Sequence, residues 1–588
     1  MNEKGHSLVV TMLIITIFLL LGLTIMSVAI YQARFTEVRV EDVESLHEAT
    51  KAIEETIAEM KVAISKPSFE LSTPGNLDTQ LAVLLPDLEN RYGVKIQDVT
   101  STDDYNINRN KLFTRVFLLS KSYGNKTVER RVILTNTPSF LKYTLGSRED
   151  VVLNGGAYID GNIYAEKNAY VTNVANYIDN SLKYMKQTSF PTTSKNSVLF
   201  VNGSYFSCDH AKNDCYNIAG NIFQRIAENY SNDIRFQSQA PSIRKEREEF
   251  IDVDFEWTVK DKLLNAAGME TFSPEYNNYI NKRIDQLFTE LLPPDQDSDQ
   301  DLEQDSDQSL DQDLDQEQNP PDQGQNQEQQ RFVVLKSVSE LRQNIDSIDR
   351  SVILQSKDSS LFFLDHGELN LQNKWLIING DLFLGNSVNT PTKVRGNIIV
   401  FGDLTINGDI ELDSTIYVFG RLDSPNVPGR TLIYNANINI TDDKVTDDKD
   451  DKVVVLLSRG PLEIARINEF ENNLSLEPPN LKGYFYTESN ATVYAVGSYI
   501  NIEGGLFARG DTSSTAPDFD VSGLVINAYR GAAEKQGGSI IFTPPSSLDH
   551  KEESRFVIRH DPSVFINRGK GLPFVKKLSL IVDKLTVK

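Results

Sequence analysis

From Leu8 to Ile30 the chain runs for 23 positions without a charged residue. A helix needs only about 20 apolar residues to cross a hydrocarbon core of roughly 30 Å, so the run predicts a membrane-spanning helix. A cleaved secretory signal has an apolar core of about 7–15 residues, a basic start and a small-x-small exit, and none of these is clear here. The polar stretch that follows, "YQARFTEVRVEDVESLHEATKAIEETIAEMKVAISKP", holds no Gly or Pro before Pro67, so nothing local stops the helix. Val43, Leu46, Thr50, Ile53, Ile57, Met60 and Ile64 recur at steps of three and four and form one stripe on it. Two partners fit such a stripe. One is the chain's own globular part, the usual use of an amphipathic helix. The other is a set of copies or pilin-like sister subunits, met through Val43, Leu46, Ile53, Ile57, Met60 and Ile64.

The pattern then divides the chain. Residues 1–30 hold the leader and the span, and 31–66 the amphipathic stalk. Residues 68–138 read as a small α/β unit: a helical run, "LDTQLAVLLPDLENRYG", then the strands "KLFTRVFLLSKSY" and "TVERRVILT" joined at Gly124-Asn125, a usable hairpin turn. From residue 150 apolar residues alternate with Asn, Gly and Asp at tight intervals. Downstream, Gly380, Gly396, Gly402, Gly408 and Gly420 open the repeats GDL, GNI, GDL, GDI and GRL. Short strands that cannot bury a face alone predict stacked coils. The fold class expected is therefore mainly β, a right-handed parallel β-helix over 150–172 and 332–545 behind the N-terminal helix. A β-sandwich with Gly-rich turns is the alternative. Residues 173–292 read as a mostly helical insertion, from "NVANYIDNSLKYMKQ", "AGNIFQRIAENYS" and "PEYNNYINKRIDQLFTELL". Residues 546–588 read as C-terminal strands that cap the last coil.

Composition sharpens this picture. The 588 residues are 39% hydrophobic, ample for real cores, and carry a net charge of −24. Thirteen acids and no Lys or Arg fall in residues 293–330, a repeated Asp-Gln stretch that reads as an extended, disordered linker. Asp295, Asp297 and Asp299 alternate as in an EF-hand loop, but Gln300 and Ser306 stand where that loop needs Gly and Glu. No basic stripe with interleaved aromatics occurs, which excludes a nucleic-acid partner. The two cysteines, Cys208 and Cys215, can close a local disulfide in an external compartment, stay as thiols, or join His210 in a metal site that lacks the usual spacing. Flanking charges do not orient the span. Lys4 precedes it, whereas Arg34 and Arg39 follow it among Glu37, Glu41, Asp42 and Glu44. The short first flank places the bulk outside the membrane.

No nucleophile elbow, zinc-protease helix, P-loop or dinucleotide fingerprint is present, and neither a cofactor nor a metal site is expected. Enzymes built on β-helices draw acids and Arg from successive coils. Asp381, Asp403, Asp409 and Asp413 are candidates of that kind, yet each sits by a turn Gly, where Asp ordinarily bonds its own backbone. Acids and Arg gathered in one groove would favour a carbohydrate-active enzyme, and an exposed face with aromatic patches would favour binding of a surface polysaccharide or protein.

The start, "EKGHSLVVTMLIITIFLLLGL", resembles the leader and helix of type IV pilin-like proteins, nearest to PilX-type minor pilins, over about the first 65 residues. The resemblance implies that Gly5 ends a leader and His6 begins the processed chain. Pilins usually carry Phe or Met after the Gly and a Glu five residues after the cut, where this chain has His6 and Val10. A membrane-buried Glu is thought to pair with a neighbouring amino terminus during assembly, so Val10 argues for a minor or anchored role over a self-assembling fibre. The remainder resembles bacterial β-solenoid surface proteins, and "INGDIEL" also resembles the bactofilin rhythm.

Overall fold

A computed structural model describes the chain except residues 1–3, 67–68, 70–73, 103–104, 106, 108, 110–111, 124–125, 247–249, 272, 294–329, 358, 387–391, 440–453, 473–476, 548–552, 562–570, 574, 576 and 584. It forms two compact units: Met1–Asn136 with Lys576–Lys588, and Thr137–Val575.

In the first unit a single helix, α1, runs from Lys4 to Ile64, about 90 Å at 1.5 Å per residue. Its later stripe residues Ile53, Ile57, Met60 and Ile64 are buried, as is Ala49, while Thr50 is half-buried. They face α2 (Pro74–Tyr92) and an antiparallel sheet of β1 (Lys95–Asp98), β2 (Arg115–Tyr123) and β3 (Lys126–Thr135). The chain's own unit thus covers Ile53, Ile57, Met60 and Ile64, the first of the two partners that fit the stripe; Leu46 is half-buried and Val43 is 65% exposed. The register runs to Tyr123↔Lys126 at the end of the hairpin, and the expected turn Gly124-Asn125 lies outside the described residues. The C-terminal strands Ser579–Val582 and Thr586–Val587 pair antiparallel with β3. They complete this sheet instead of capping coils, because β3 otherwise leaves an apolar edge at Val132, Ile133 and Leu134.

Arg115 ties the unit together from a fully buried position. Its Nε donates to Asp78 Oδ1 at 2.7 Å and its Nη2 to Asp78 Oδ2 at 3.0 Å, while Nη1 reaches the Leu112 and Thr114 carbonyls at 2.7 and 2.8 Å. One side chain therefore joins α2 to the strand that follows the loop.

The second unit is mainly β, and apart from its antiparallel hairpins its strands stack in parallel, mostly with strands that are not their immediate neighbours in sequence. One column can be followed residue by residue: Val352, Leu376, Ile398, Ile416, Leu456, Phe485, Leu506, Leu145, Ile163, Leu199 and Ile243 are successive rungs. All but the last belong to one apolar core. A second column stacks Leu382, Leu404, Thr431, Leu462, Ala491, Leu524, Val151, Ala169 and Tyr205. A third column carries Ile438, Leu481, Ile502, Ile558 and Ile159. Each circuit of the chain visits the three columns in turn.

The order of the rungs is not the order of the sequence. Leu506 and Leu524, late in the chain, lie next to Leu145 and Val151. Strand Phe556–Arg559, expected in the cap, is an interior rung between Ile500–Glu503 and Tyr158–Asp160. The chain thus builds residues 145–244 at one end of the stack, restarts at Val333–Leu335 at the other, and climbs back to meet them.

Helices α3 (Phe255–Ala266), α4 (Pro274–Ile280) and α5 (Ile284–Leu291) carry the return. Asp254 caps α3 and Ser273 caps α4, each accepting a backbone N–H. The return strap lies on the outside of the first column: Phe250 stacks on Tyr164 and Phe507, Phe255 meets Tyr417, and Phe288 meets Phe401. That cover explains a sequence pattern. First-column strands are apolar on both faces, as in "NIIVF", "VVVLLS" and "GYFYT", whereas second-column strands such as "DLFLG" and "LTIN" alternate.

Residues 173–292 are not mostly helical. Val174–Asp179 and Leu182–Gln187 form an antiparallel hairpin, turned by Asn180 and Ser181 at positive φ, and Ile222–Arg225 is a strand paired to Tyr216–Ala219. Val174, Ile178 and Leu182 recur at helical spacing in the sequence, yet they lie on two paired strands. The left-handed Asn-Ser pair sets a two-residue turn between them. Among the described residues of this segment, α-helix is confined to α3–α5, with one 3-10 turn at Ala227–Asn229.

Gly402, Gly429 and Gly460 form a column at one corner. A Cβ on Gly402 would lie 2.3 Å from the Gly380 carbonyl oxygen, one on Gly429 2.4 Å from that of Gly402, and one on Gly460 2.5 Å from that of Gly429. Only glycine lets backbone follow backbone this closely.

Two outcomes are expected. Gly429→Ala forces the corner apart and lowers stability by about 1–3 kcal/mol, read as the urea midpoint of detergent-solubilised protein. Arg115→Met leaves Asp78 with only the Arg109 guanidinium, at 2.8 Å, and strands the Leu112 and Thr114 carbonyls, at a cost of about 1–3 kcal/mol; a loss under about 0.5 kcal/mol would show that Arg115 does not hold the unit together.

Candidate functional site

The first half of α1 leaves its apolar residues bare: Leu8, Met12, Phe18, Leu21, Ile25 and Met26 are all more than half exposed. Its most apolar window has a mean hydropathy of 2.9 and none of it is buried. Gly5 and His6 lie within α1 ahead of this surface. A water-exposed apolar face of this length is unfavourable, so the helix has the length and composition to sit in a membrane.

The turn aspartates have a structural task. Asp381 Oδ1 accepts the Asp403 backbone N–H at 2.9 Å, and Asp403 Oδ1 accepts that of Arg430 at 2.8 Å. Asp409 Oδ1 accepts from Asn437 Nδ2 at 2.8 Å. Asn162, Asn168, Asn397, Asn480 and Asn490 repeat the motif, each accepting a backbone N–H from the neighbouring rung. The bond reaches the next circuit, not the residue's own backbone as the turn rule suggests. At a corner the ladder lapses and the backbone N–H needs another acceptor. Asp413 stands in the third column, paired with Arg395, and the four are not gathered into a catalytic group.

Acids and arginines do gather at one corner of the first column, where the strap begins. Arg148 pairs with Asp252 and lies 3.7 Å from Glu166; Arg509 lies 3.9 Å from Asp252. Tyr143 donates to Glu246 at 2.9 Å, and Tyr164 donates to Glu166. The cluster fastens the strap to the rungs. Beside it, burial pushes the Glu488 carboxyl up to about 7, against the favourable charges of Arg509 and Arg459 and with Asp254 and Asp252 adding to the rise.

Cys208 and Cys215 are disulfide-bonded, with Cα atoms 5.8 Å apart. Inside their loop His210 Nδ1 accepts the Cys215 backbone N–H at 3.2 Å, and the loop is held from outside by Asn173, which donates to Asp209 and accepts from His210 N at 2.8 and 2.7 Å.

Asn173 also borders a cleft of about 530 Å³. The cleft lies where two hairpins leave the stack, Val174–Gln187 and Ala532–Thr543. Lys186, Gln187, Thr188, Ser189, Phe190 and Gln237 line it with Tyr529, Arg530, Phe542, Pro544 and Pro545. The hairpins meet through Tyr177 on Phe542 and through Lys535 with Asp179 at 3.1 Å. Sequence reading missed this cleft because its walls come from segments some 350 residues apart.

No family model matches the chain, and no curated protein does. Among solved structures it is similar to the competence-associated pilin ComZ from Thermus thermophilus, with 10% identity and a TM-score of 0.21, over 81% of this chain and 81% of that one. That score does not establish a shared fold.

Glu488 gives a pH signature. Its folded pKa lies above the value of a free glutamate, so between about pH 4.5 and 7 the folded chain holds a proton that the unfolded chain has released. Stability therefore falls as pH rises through that window and levels off above 7. Glu488→Gln should remove the fall and gain on the order of 2 kcal/mol at pH 8 while changing little at pH 4, read from urea midpoints across pH.

Proposed function

We propose that this chain is a membrane-anchored, extracytoplasmic, pilin-like protein that presents a β-solenoid, acting as a minor pilus or surface adhesion component and not as an enzyme. The observation that carries the reading is the division of α1: bare and apolar over Leu8–Ile30, then buried on its own unit from Ala49 to Ile64. One rigid helix thereby links a membrane segment to a folded base. The local disulfide supports an oxidising compartment. The three-column parallel stack supports a β-helix over a sandwich, since a sandwich is built from antiparallel pairs. The Lys4-Gly5-His6 start supports processing at Gly5, and Val10 supports a minor role over that of a bulk fibre subunit.

A second reading, a membrane-tethered carbohydrate-active β-helix enzyme, is favoured by one observation: Glu488 holds its proton near neutral pH beside Asp252 and Asp254. Against it, the neighbouring carboxylate of Asp252 is already engaged by Arg148 in fastening the strap.

Mass spectrometry of protein extracted from its native membrane tests the leading reading. The expected mature amino terminus is His6, and protease added to intact cells is expected to remove the bulk of the chain. An intact Met1 start with full protection from external protease overturns it.

A further inference from the structure

We propose that the cleft between the two hairpins binds a saccharide bearing a negative group, such as a uronate. The volume, about 530 Å³, lies in the range of small-molecule sites and matches one or two sugar rings. Its lining combines two kinds of surface. Phe190 and Phe542 offer ring surface, which suits the C–H face of a pyranose, with the buried Tyr529 backing Phe542 at 4.8 Å, and Gln187 and Gln237 offer neutral polar groups, which suit its hydroxyl edge.

Two observations point to an occupant. Ser189 is 9% exposed and lines the cleft, and its Oγ has no hydrogen-bond partner, which buried hydroxyls seldom lack. A turn of the Ser189 χ1 rotamer away from Gly156 brings that hydroxyl to the cleft, where a ligand hydroxyl supplies the partner. The second is charge. The chain carries a net charge of −24, yet among the described residues the lining holds Lys186 and Arg530 and not one carboxylate. Arg530 is fully buried, and its guanidinium is directed to the Gly156 and Ala157 carbonyls, so it shapes the floor. Lys186 is the accessible cation. Its Nζ stands 5.1 Å over the Phe542 ring, which places a positive charge at the edge of the stacking face. An anionic sugar meets both at once, a ring face on Phe542 and its carboxylate on Lys186.

The walls are rigid enough to select a ligand. Thr188 Oγ1 accepts the Arg530 N–H at 3.0 Å, the Thr188 N–H donates to the Asn173 carbonyl at 2.8 Å, and Asn173 is itself fixed by the disulfide loop. The proposal deepens the surface-adhesion reading by naming a ligand class, but the binding test needs no membrane or pilus, so the two fail separately.

The test uses the full chain in detergent, titrated calorimetrically and by saturation-transfer NMR. The probes are trigalacturonate, a sialylated trisaccharide and a sugar phosphate, each with its neutral counterpart, and a proline-rich peptide as the other class that aromatic grooves take. At least one acidic sugar is expected to bind with Kd below 1 mM, at least fivefold tighter than its neutral form, and more weakly as salt rises. Lys186→Gln is expected to weaken it about tenfold and to abolish the preference over the neutral form, while Lys195→Gln, exposed and outside the cleft lining, leaves both unchanged. Phe542→Leu keeps the fold and loses the ring; it should weaken acidic and neutral sugars alike. Equal binding of charged and neutral forms, binding of the peptide alone, or no binding by any acidic sugar overturns the proposal.

Discussion

The second unit depends on one constraint: no single circuit of the chain can bury its own inner face or satisfy its own backbone. Each strand contributes a few apolar residues to the interior, and each needs a rung on both sides to pair its N–H and C=O groups. Parallel stacking meets both needs together. The consequences spread through the sequence. Corners must let backbone follow backbone, which selects the Gly402, Gly429 and Gly460 column. Corner N–H groups that the ladder misses must find an acceptor, which selects Asp381, Asp403 and the series of asparagines. Residues that resemble a scatter of turn signals are therefore contacts between circuits.

The same constraint explains the path of the chain. A stack with open ends exposes sticky edges, and here the two ends are built by different parts of the sequence, with the join in the interior between Leu506 and Leu145. Residues 145–244 cannot stack on the later strands unless the chain crosses back, and the strap of α3–α5 does so along the first column. Its aromatics convert one outer face into a second core, so the strap both connects and stabilises. The first unit is closed by the same kind of long-range pairing, with the last strands of the chain completing the sheet begun by β1–β3. The second unit is thus inserted, in sequence, within the first.

Function follows from where this scaffold leaves apolar and polar groups unmatched. The bare apolar surface of α1 has the length and composition to meet a membrane; the aromatic and cationic cleft between the two hairpins is the proposed place for a small polar ligand. The Arg148 cluster calls for neither, because its acids and arginines pair with one another while fastening the strap. Clusters of charge on a β-stack are therefore not by themselves catalytic. What separates them is whether their partners are already present.

By itself the sequence determined what is local or periodic. The uncharged run from Leu8, the unbroken exit from it, the stripe through Ile53, Ile57, Met60 and Ile64, and the Gly-punctuated short strands all act within a few residues, so their spacing reveals them. The nearness of Cys208 to Cys215 made their pairing available in the same way, among other outcomes. The tertiary structure decided everything that joins distant positions. It covered the stripe with the chain's own unit, placed Phe556–Arg559 inside the stack and Ser579–Val582 on β3, turned "NVANYIDNSLKYMKQ" into strands, and brought Lys186 and Phe542 to one cleft. Parallel pairing has no short-range signature of its partner: a strand's pattern states which face is buried but not which strand lies beside it.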